Sequence, residues 1–214
     1  MGEVLPPGPS NASRRLLGLD WSATLPWTFD DITVDLGTFE ADAMPFMATH
    51  YGEIFGMSDP STARFLVEPM TPSKLRFGAE MDVFVFRDAG TPIGLIVAHP
   101  TDWSTYYVRT AALLRDYRRK HLIVRYMDHI IEPLQRAGVA RLETDVAPTN
   151  APMVGFHIDK GFIVSSTSTS DRWGMTLRFT KFLREEAEQV FVRQFCAMAV
   201  KPPKPQPPNS RRTP

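Results

Sequence analysis

The chain has 214 residues, 43% of them apolar and 22% charged, with four tryptophans. That is enough for one well-packed domain with appended segments and argues against two independent ones. Its 24 basic and 24 acidic residues cancel, so no general field draws it to nucleic acid or to an anionic membrane, and its partners are expected to be small or locally recognised.

The stretch 1–26 is rich in Pro, Gly, Ser and Asn and reads as a flexible arm, with Trp21 and Trp27 expected to anchor its end to the body. It holds no signal-peptide core, and no apolar run in the chain approaches the ~18 residues a membrane helix needs, so the expected location is cytoplasmic, away from membranes. The lone thiol, Cys196, excludes an internal disulfide and fits a reducing compartment. Residues 27–180 read as the folded domain. Asp31 to Leu36 alternates as an opening strand, and Phe39, Ala43, Met44, Met47, Tyr51 and Phe55 recur near helical spacing with Pro45 in an early turn. The stretch 57–79 is irregular, with a short helix expected around Lys74 to Phe77. Met81 to Phe86 and Pro92 to His99 read as a hairpin closed by Asp88-Ala89-Gly90-Thr91.

The next strand, Tyr107 to Leu114, is almost unbroken in its apolar run after Thr110 and is expected at the centre of the sheet. A basic turn, Arg115 to His121, leads into a helix marked by Leu122, Ile123, Tyr126, Met127, Ile130, Ile131 and Leu134 and stopped by Gly138. Cations are disfavoured at a helix N-terminus, where free N–H groups already set positive potential, so the crowding of Arg118, Arg119, Lys120 and His121 there asks for an anion. A solvated basic turn that binds nothing is the bland alternative. Val139 to Val146 is a strand with Leu142, Thr144 and Val146 on one face and Arg141, Glu143 and Asp145 on the other. Asn150 is expected to cap a short helix carrying Pro152 in its first turn, and Gly161 ends it before Phe162. Ile163 to Thr169 and Trp173 to Phe179 form a closing antiparallel pair. Residues 181–200 read as a further helix docked on the domain or on a second subunit, which leaves a homodimer open. The Pro-rich tail 201–214 reads as an extended, disordered end, with an SH3-type ligand as the lesser alternative.

Strand, basic turn, helix, strand, Asn150, short helix and Gly161-Phe162 together resemble the GNAT superfamily of coenzyme A-dependent N-acyltransferases over roughly residues 80 to 180. The family's turn has the pattern Arg/Gln-x-x-Gly/Ala-x-Gly/Ala, matched here by Arg118 to Ile123, with His121 and Ile123 where the family carries small residues. The resemblance implies an α/β fold with a central mixed sheet of about seven strands flanked by helices. It implies an N-acyltransferase that moves an acyl group, expected to be acetyl, from acetyl-CoA or another acyl-CoA to the amine of a small molecule or peptide. The carrier site it implies comprises Ala111, Ala112 and Leu113 of the strand, Arg118, Arg119, Lys120, His121, Leu122 and Ile123 of the turn, and Asn150. His157, seven residues after Asn150, stands where the family holds a thiolate-protonating Tyr. It is read as the proton donor, with a packed core histidine as the alternative.

Glu143, Asp145 and His99 are candidate general bases, and both carboxylates are equally readable as solvated. Met44, Phe46, Met47, Tyr51 and Phe55 are candidates to line an acceptor pocket, although most are expected in the core. The five histidines show no metal-ligand spacing, so no metal is expected, and neither a Gly-x-Ser-x-Gly elbow nor a Gly-Lys-Ser/Thr loop is present. A GNAT-like module that binds without catalysing, and transfer of a longer acyl chain from coenzyme A or an acyl carrier protein, remain the alternatives.

Overall fold

The computed structural model describes residues 19–55, 71–170 and 173–196. The arm up to residue 18, the stretch 56–70 and the Pro-rich tail lie outside them. Eight strands form one mixed sheet in the order β1-β2-β3-β4-β5-β6-β8-β7. They are β1 Trp27–Phe29, β2 Ile32–Gly37, β3 Asp82–Asp88, β4 Thr91–Pro100, β5 Thr105–Leu113, β6 Arg141–Val146, β7 Ile163–Ser170 and β8 Gly174–Phe182. Among the described strands only β5 and β6 run parallel, and the crossover between them contains the basic turn and helix α3, Leu122–Arg136. The remaining helices are α1 Met44–Phe55, α2 Pro72–Ala79, α4 Ala151–Asp159 and α5 Glu185–Phe191. No helix of the described residues is long and apolar enough to cross a membrane.

The sheet has a core on each face. On the first, Leu122, Tyr126, Ile130 and Leu134 of α3 pack with Phe84, Tyr106, Leu142 and Phe179, all buried, joined by Trp21 and Trp27 from the N-terminal segment. On the second, Ala43 and Phe46 pack on Val83, Val85, Leu95, Val97 and Ala112. The helical periodicity of α3 and the alternation of β3 and β4 therefore point to the same arrangement from opposite sides of the sheet. The hairpin β3–β4 turns through Ala89 and Gly90, whose φ of 45° and 85° both lie in the left-handed region that a type I′ turn requires.

The structure departs from the sequence reading in three places. Trp27-Thr28-Phe29 pairs antiparallel with Ile32 to Val34 and adds a strand where the arm was expected to end, because burying both aromatic rings outweighs the weak strand signal of three residues. Lys181 and Phe182 belong to β8, paired with Leu142 and Arg141, and the last helix starts at Glu185, after Arg184 in an extended conformation. Sheet pairing overrides helical spacing there. Finally, Asn150 makes no side-chain cap; α4 starts with its main-chain carbonyl accepting from Val154 N–H at 3.0 Å.

Candidate active site

The parallel pair β5–β6 comes apart part-way along. It is in register from Thr105↔Arg141 to Val108↔Thr144 and no further, although β5 continues to Leu113 and β6 to Val146. The cause lies on the other edge of β5. Its pairing with β4 shifts from Val97↔Thr110 to Ala98↔Val108, so Arg109 is an extra residue, and such a bulge bends its strand and sharpens the local twist. Past the bulge, Thr110 to Leu113 stay with β4 while β6 follows β8. The main-chain groups of Ala111, Ala112 and Leu113 that point toward β6 face a gap between strands. The side chains differ: Ala112 and Leu113 are buried and Ala111 is exposed.

Both helices that leave this end of the parallel pair start without a side-chain cap. The first main-chain bond of α3 runs from Arg125 N–H to the His121 carbonyl at 3.0 Å, so the N–H groups of Leu122, Ile123 and Val124 lie ahead of the ladder. His121 sits at φ 57°, ψ 17° and Arg119 at φ 64°, left-handed conformations that cost an L-residue roughly 1–2 kcal/mol each. Held against that cost, the backbone takes the path a glycine turn would take. The side chains at both positions are exposed. Leu122 is buried in the core, and only its main chain is available to a ligand.

Of the basic residues, Arg118 is partly committed to the protein. Its Nε donates to the Leu113 carbonyl at 3.1 Å and its Nη2 to the Ile54 carbonyl at 3.2 Å, which ties the end of β5 to the end of α1. Glu53 Oε1 accepts from Arg115 N–H at 3.1 Å and strengthens the same junction. Lys120 Nζ stands 4.5 Å above the Tyr117 ring, whose hydroxyl donates to Asp88. Arg119 and His121 are exposed.

The face of the sheet opposite α3 carries a cluster of titratable groups. Arg178 Nε and Nη2 donate to the two oxygens of Asp145 at 2.8 and 2.9 Å, and Tyr107 Oη donates to Asp145 Oδ2 at 3.0 Å. Burial disfavours the charged form of Asp145, but the Arg178 guanidinium outweighs it and holds the carboxyl below its ordinary value. Burial, reinforced by the same carboxylate, pushes the Tyr107 phenol up to about 12. Glu143 is held more loosely, with Arg178 Nη1 and Thr180 Oγ1 each at 3.4 Å. Next to Tyr107, His99 donates from Nδ1 to the carbonyl of Pro100 at 3.0 Å, and its buried Nε2 has no hydrogen-bond partner among the described residues.

His157 is 3% exposed, stacked on Phe179 at 5.1 Å and edge-on to Phe162 at 4.9 Å. Its Nδ1 lies 2.7 Å from the Met153 carbonyl, which only accepts, so the ring proton sits on Nδ1 and a neutral Nε2 has none to give. Burial also lowers the pKa of this imidazole.

Ala111, Ala112, Leu113, the turn from Arg118 to Ile123 and Asn150 thus gather at one end of β5 and β6, and Glu143 and Asp145 on the adjoining face; His157 lies in the core between α4 and β8. Sequence reasoning missed Arg178 and Tyr107, which organise the carboxylates. Arg178 lies in a strand the sequence predicts, but pairing β8 with β6 ahead of β7 leaves no local signal.

The Acetyltransferase (GNAT) family matches residues 44–162. Among solved structures, Ard1 from Thermoplasma volcanium is similar at a TM-score of 0.52 and 15% identity, over 72% of this chain and 99% of that one. A GNAT family acetyltransferase from Elizabethkingia anophelis with acetyl-CoA bound is similar at 0.51 and 12% identity, over 72% and 99%. The ribosomal-protein-S18-alanine N-acetyltransferase from Escherichia coli is similar at 0.51 and 16%, over 70% and 94%. At such identities the likeness is one of fold. No curated protein matches the chain.

Proposed function

Because the chain belongs to the GNAT acetyltransferase family, whose match covers more than half of it, we propose that it is an N-acetyltransferase using acetyl-CoA and an amine acceptor. The observation that carries this reading is the opening between β5 and β6 at the point where two uncapped helices begin. The residues fit the carrier. Free N–H groups of Leu122, Ile123 and Val124 suit a diphosphate, Arg119, Lys120 and His121 add positive charge around them, and Asn150 leaves its amide uncommitted to a cap. When bound, acetyl-CoA supplies a thioester-activated acetyl group.

The chain's own part is to receive, orient and deprotonate. Main-chain N–H groups of β5 past the bulge, at Ala111 to Leu113, are preorganised donors for a carbonyl oxygen that gains negative charge. Glu143 is the general base in this reading. Its contacts are long, whereas Asp145 is engaged by three donors that stabilise its charged form and make it a poor base. Arg178 and Tyr107 fix both carboxylates in place. His157 holds its one proton on Nδ1, so the proton taken up by the departing thiolate is left to solvent in this reading.

The test is calorimetric titration of acetyl-CoA at protein near ~100 µM, which reveals dissociation constants up to the ~10⁻⁴ M class, followed by thiol release in the presence of amines. Binding with turnover supports the transferase. Binding without turnover across an amine panel favours the binding module, and absence of binding by acetyl-, malonyl- and long-chain acyl-CoA overturns both.

A further inference from the structure

At the level where β5 and β6 begin to part, one cation stands without a counter-charge. Val108↔Thr144 is the last pair between the two strands, so Arg109 and Asp145 are the next residues on either side of the opening. Glu143 stands one residue before that pair, directly across from Tyr107. With strands about 4.8 Å apart and roughly 3.3 Å of rise per residue, the main chains of Arg109 and Glu143 lie about 8 Å apart.

Their side chains share a face of the sheet. Arg109 stands 5.9 Å over the ring of Phe77 in α2, Phe77 meets His99 edge-on at 6.4 Å, and His99 meets Tyr107 edge-on at 5.7 Å. Tyr107 in turn donates to Asp145, which shares its strand face with Glu143. The Arg109 guanidinium is also near enough to oppose the upward shift of the Tyr107 phenol.

The four charges of this face are not equally committed. Asp145 and Arg178 neutralise each other through two short hydrogen bonds. Glu143 is a loosely held anion, with both of its contacts at 3.4 Å. Arg109 is exposed and makes no ion pair among the described residues. One unpaired guanidinium and one loosely held carboxylate, side by side where the sheet opens, match a ligand that carries the opposite charges on neighbouring atoms. Phe77 completes the description. It is 57% exposed although large and apolar, and it lies against Arg109, where its ring offers a surface to an apolar group on the same ligand.

We propose that the acceptor is an α-amino acid with a free carboxylate and an apolar side chain: Arg109 holds the carboxylate, Glu143 receives the ammonium, and Phe77 packs against the side chain. The assignment rests on the N-acetyltransferase reading and names the substrate class of that site. Arg109 and Phe77 are specificity-determining residues here, acting on the body of the acceptor and not on the reacting atoms. In the transfer the ammonium gives one proton to Glu143, and the nitrogen bonds to the acetyl carbon as the carbon–sulfur bond breaks. The second proton that the nitrogen loses is balanced by the one the thiolate takes from solvent.

The experiment measures binding separately from turnover. The full chain saturated with coenzyme A is titrated with L-leucine and three controls: leucinamide, which lacks the carboxylate, 4-methylpentanoate, which lacks the amine, and glycine, which lacks the side chain. L-leucine is expected to bind at least about tenfold tighter than each control. Arg109→Ala is expected to weaken L-leucine about tenfold, to the level of leucinamide, with leucinamide and coenzyme A affinities unchanged. A merely structural role would weaken both amino ligands alike. Phe77→Ala is expected to bring L-leucine and glycine within about threefold of each other. Any control binding as tightly as L-leucine, no detectable L-leucine binding at millimolar concentration, or an equal loss for L-leucine and leucinamide in Arg109→Ala would each overturn the proposal. The comparison of ligands on the parent protein decides the matter even where a variant does not fold. Failure of coenzyme A to bind counts against the transferase reading instead, and the amino acid titrations repeated without it then judge this site alone.

Discussion

Arg178 grips Asp145 with two parallel hydrogen bonds, Nε to Oδ1 at 2.8 Å and Nη2 to Oδ2 at 2.9 Å, across adjacent strands. That geometry makes Asp145 a structural anion and, under the proposed function, leaves Glu143 for the chemistry. It also couples stability to acid. The folded pKa of Asp145 lies below its ordinary value of 3.8, so its stabilising contribution is complete above that value and is lost as pH falls through the folded pKa. Arg178 and Asp145 are partly exposed, so solvent reduces the effect, and Asp145→Asn is expected to cost about 1 kcal/mol at neutral pH. Thermal melts should show the variant a few degrees lower at pH 7, with the gap closing below about pH 4. A gap that persists unchanged in acid would locate the loss elsewhere.

Glu143→Gln tests the division of labour. It keeps the shape and the contacts to Arg178 and Thr180 but cannot take a proton. With acetyl-CoA and a reactive amine, kcat is expected to fall about 10²-fold while acetyl-CoA affinity and melting temperature stay near the parent. A fall in Asp145→Asn equal to that in Glu143→Gln would mean that the pair acts as a unit, and a rate within twofold in Glu143→Gln would remove it as the base.

What the sequence disclosed of this site follows from range. The order of strand, basic turn and helix is local, written in the apolar run after Thr110 and the spacing of Leu122, Tyr126, Ile130 and Leu134, and the structure has the helix it implies at Leu122–Arg136. Which face Glu143 shares with Asp145 is also local, because strand periodicity fixes it. The partners were not legible. Arg178 reaches Asp145 only because β8 inserts between β6 and β7, and the split of β5 from β6 depends on a single extra residue, Arg109, whose effect appears only once β4 is beside it. Trp27 was legible as apolar but not as strand, since three residues carry no period.

His121→Gly probes the strained turn. Removing the side chain at φ 57° relieves a left-handed L-residue, worth roughly 1–2 kcal/mol, and adds back unfolded-chain entropy of about 0.4–1 kcal/mol. Melting temperature is therefore expected to be unchanged or slightly higher. Acetyl-CoA affinity should be equal or better if the free N–H groups of α3 hold the diphosphate. A drop of tenfold or more would show instead that the imidazole itself contacts the carrier.

The last prediction concerns His157, where the resemblance implies a proton donor and the surroundings describe a packed ring. Its Nδ1–H is spent on the Met153 carbonyl and its faces on Phe179 and Phe162. Burial lowers its folded pKa below the ordinary 6.5, so the unfolded chain binds the extra proton more readily. The sign follows: this group's contribution to stability is full above about pH 6.5 and declines as pH falls from there toward the folded pKa. In the parent, denaturation midpoints should decline over that window, and His157→Phe, which keeps an aromatic ring but cannot titrate, should flatten that part of the slope. Losing the bond to Met153 leaves a carbonyl that α4 itself still engages, so the cost of His157→Phe at neutral pH is expected near 1 kcal/mol, against roughly 3 kcal/mol for the cavity in His157→Ala. Turnover separates the two roles. A packing residue predicts a folded His157→Phe enzyme with kcat within a few-fold of the parent, whereas a general acid predicts a fall of about 10²-fold with carrier affinity intact, recovered in part by His157→Tyr.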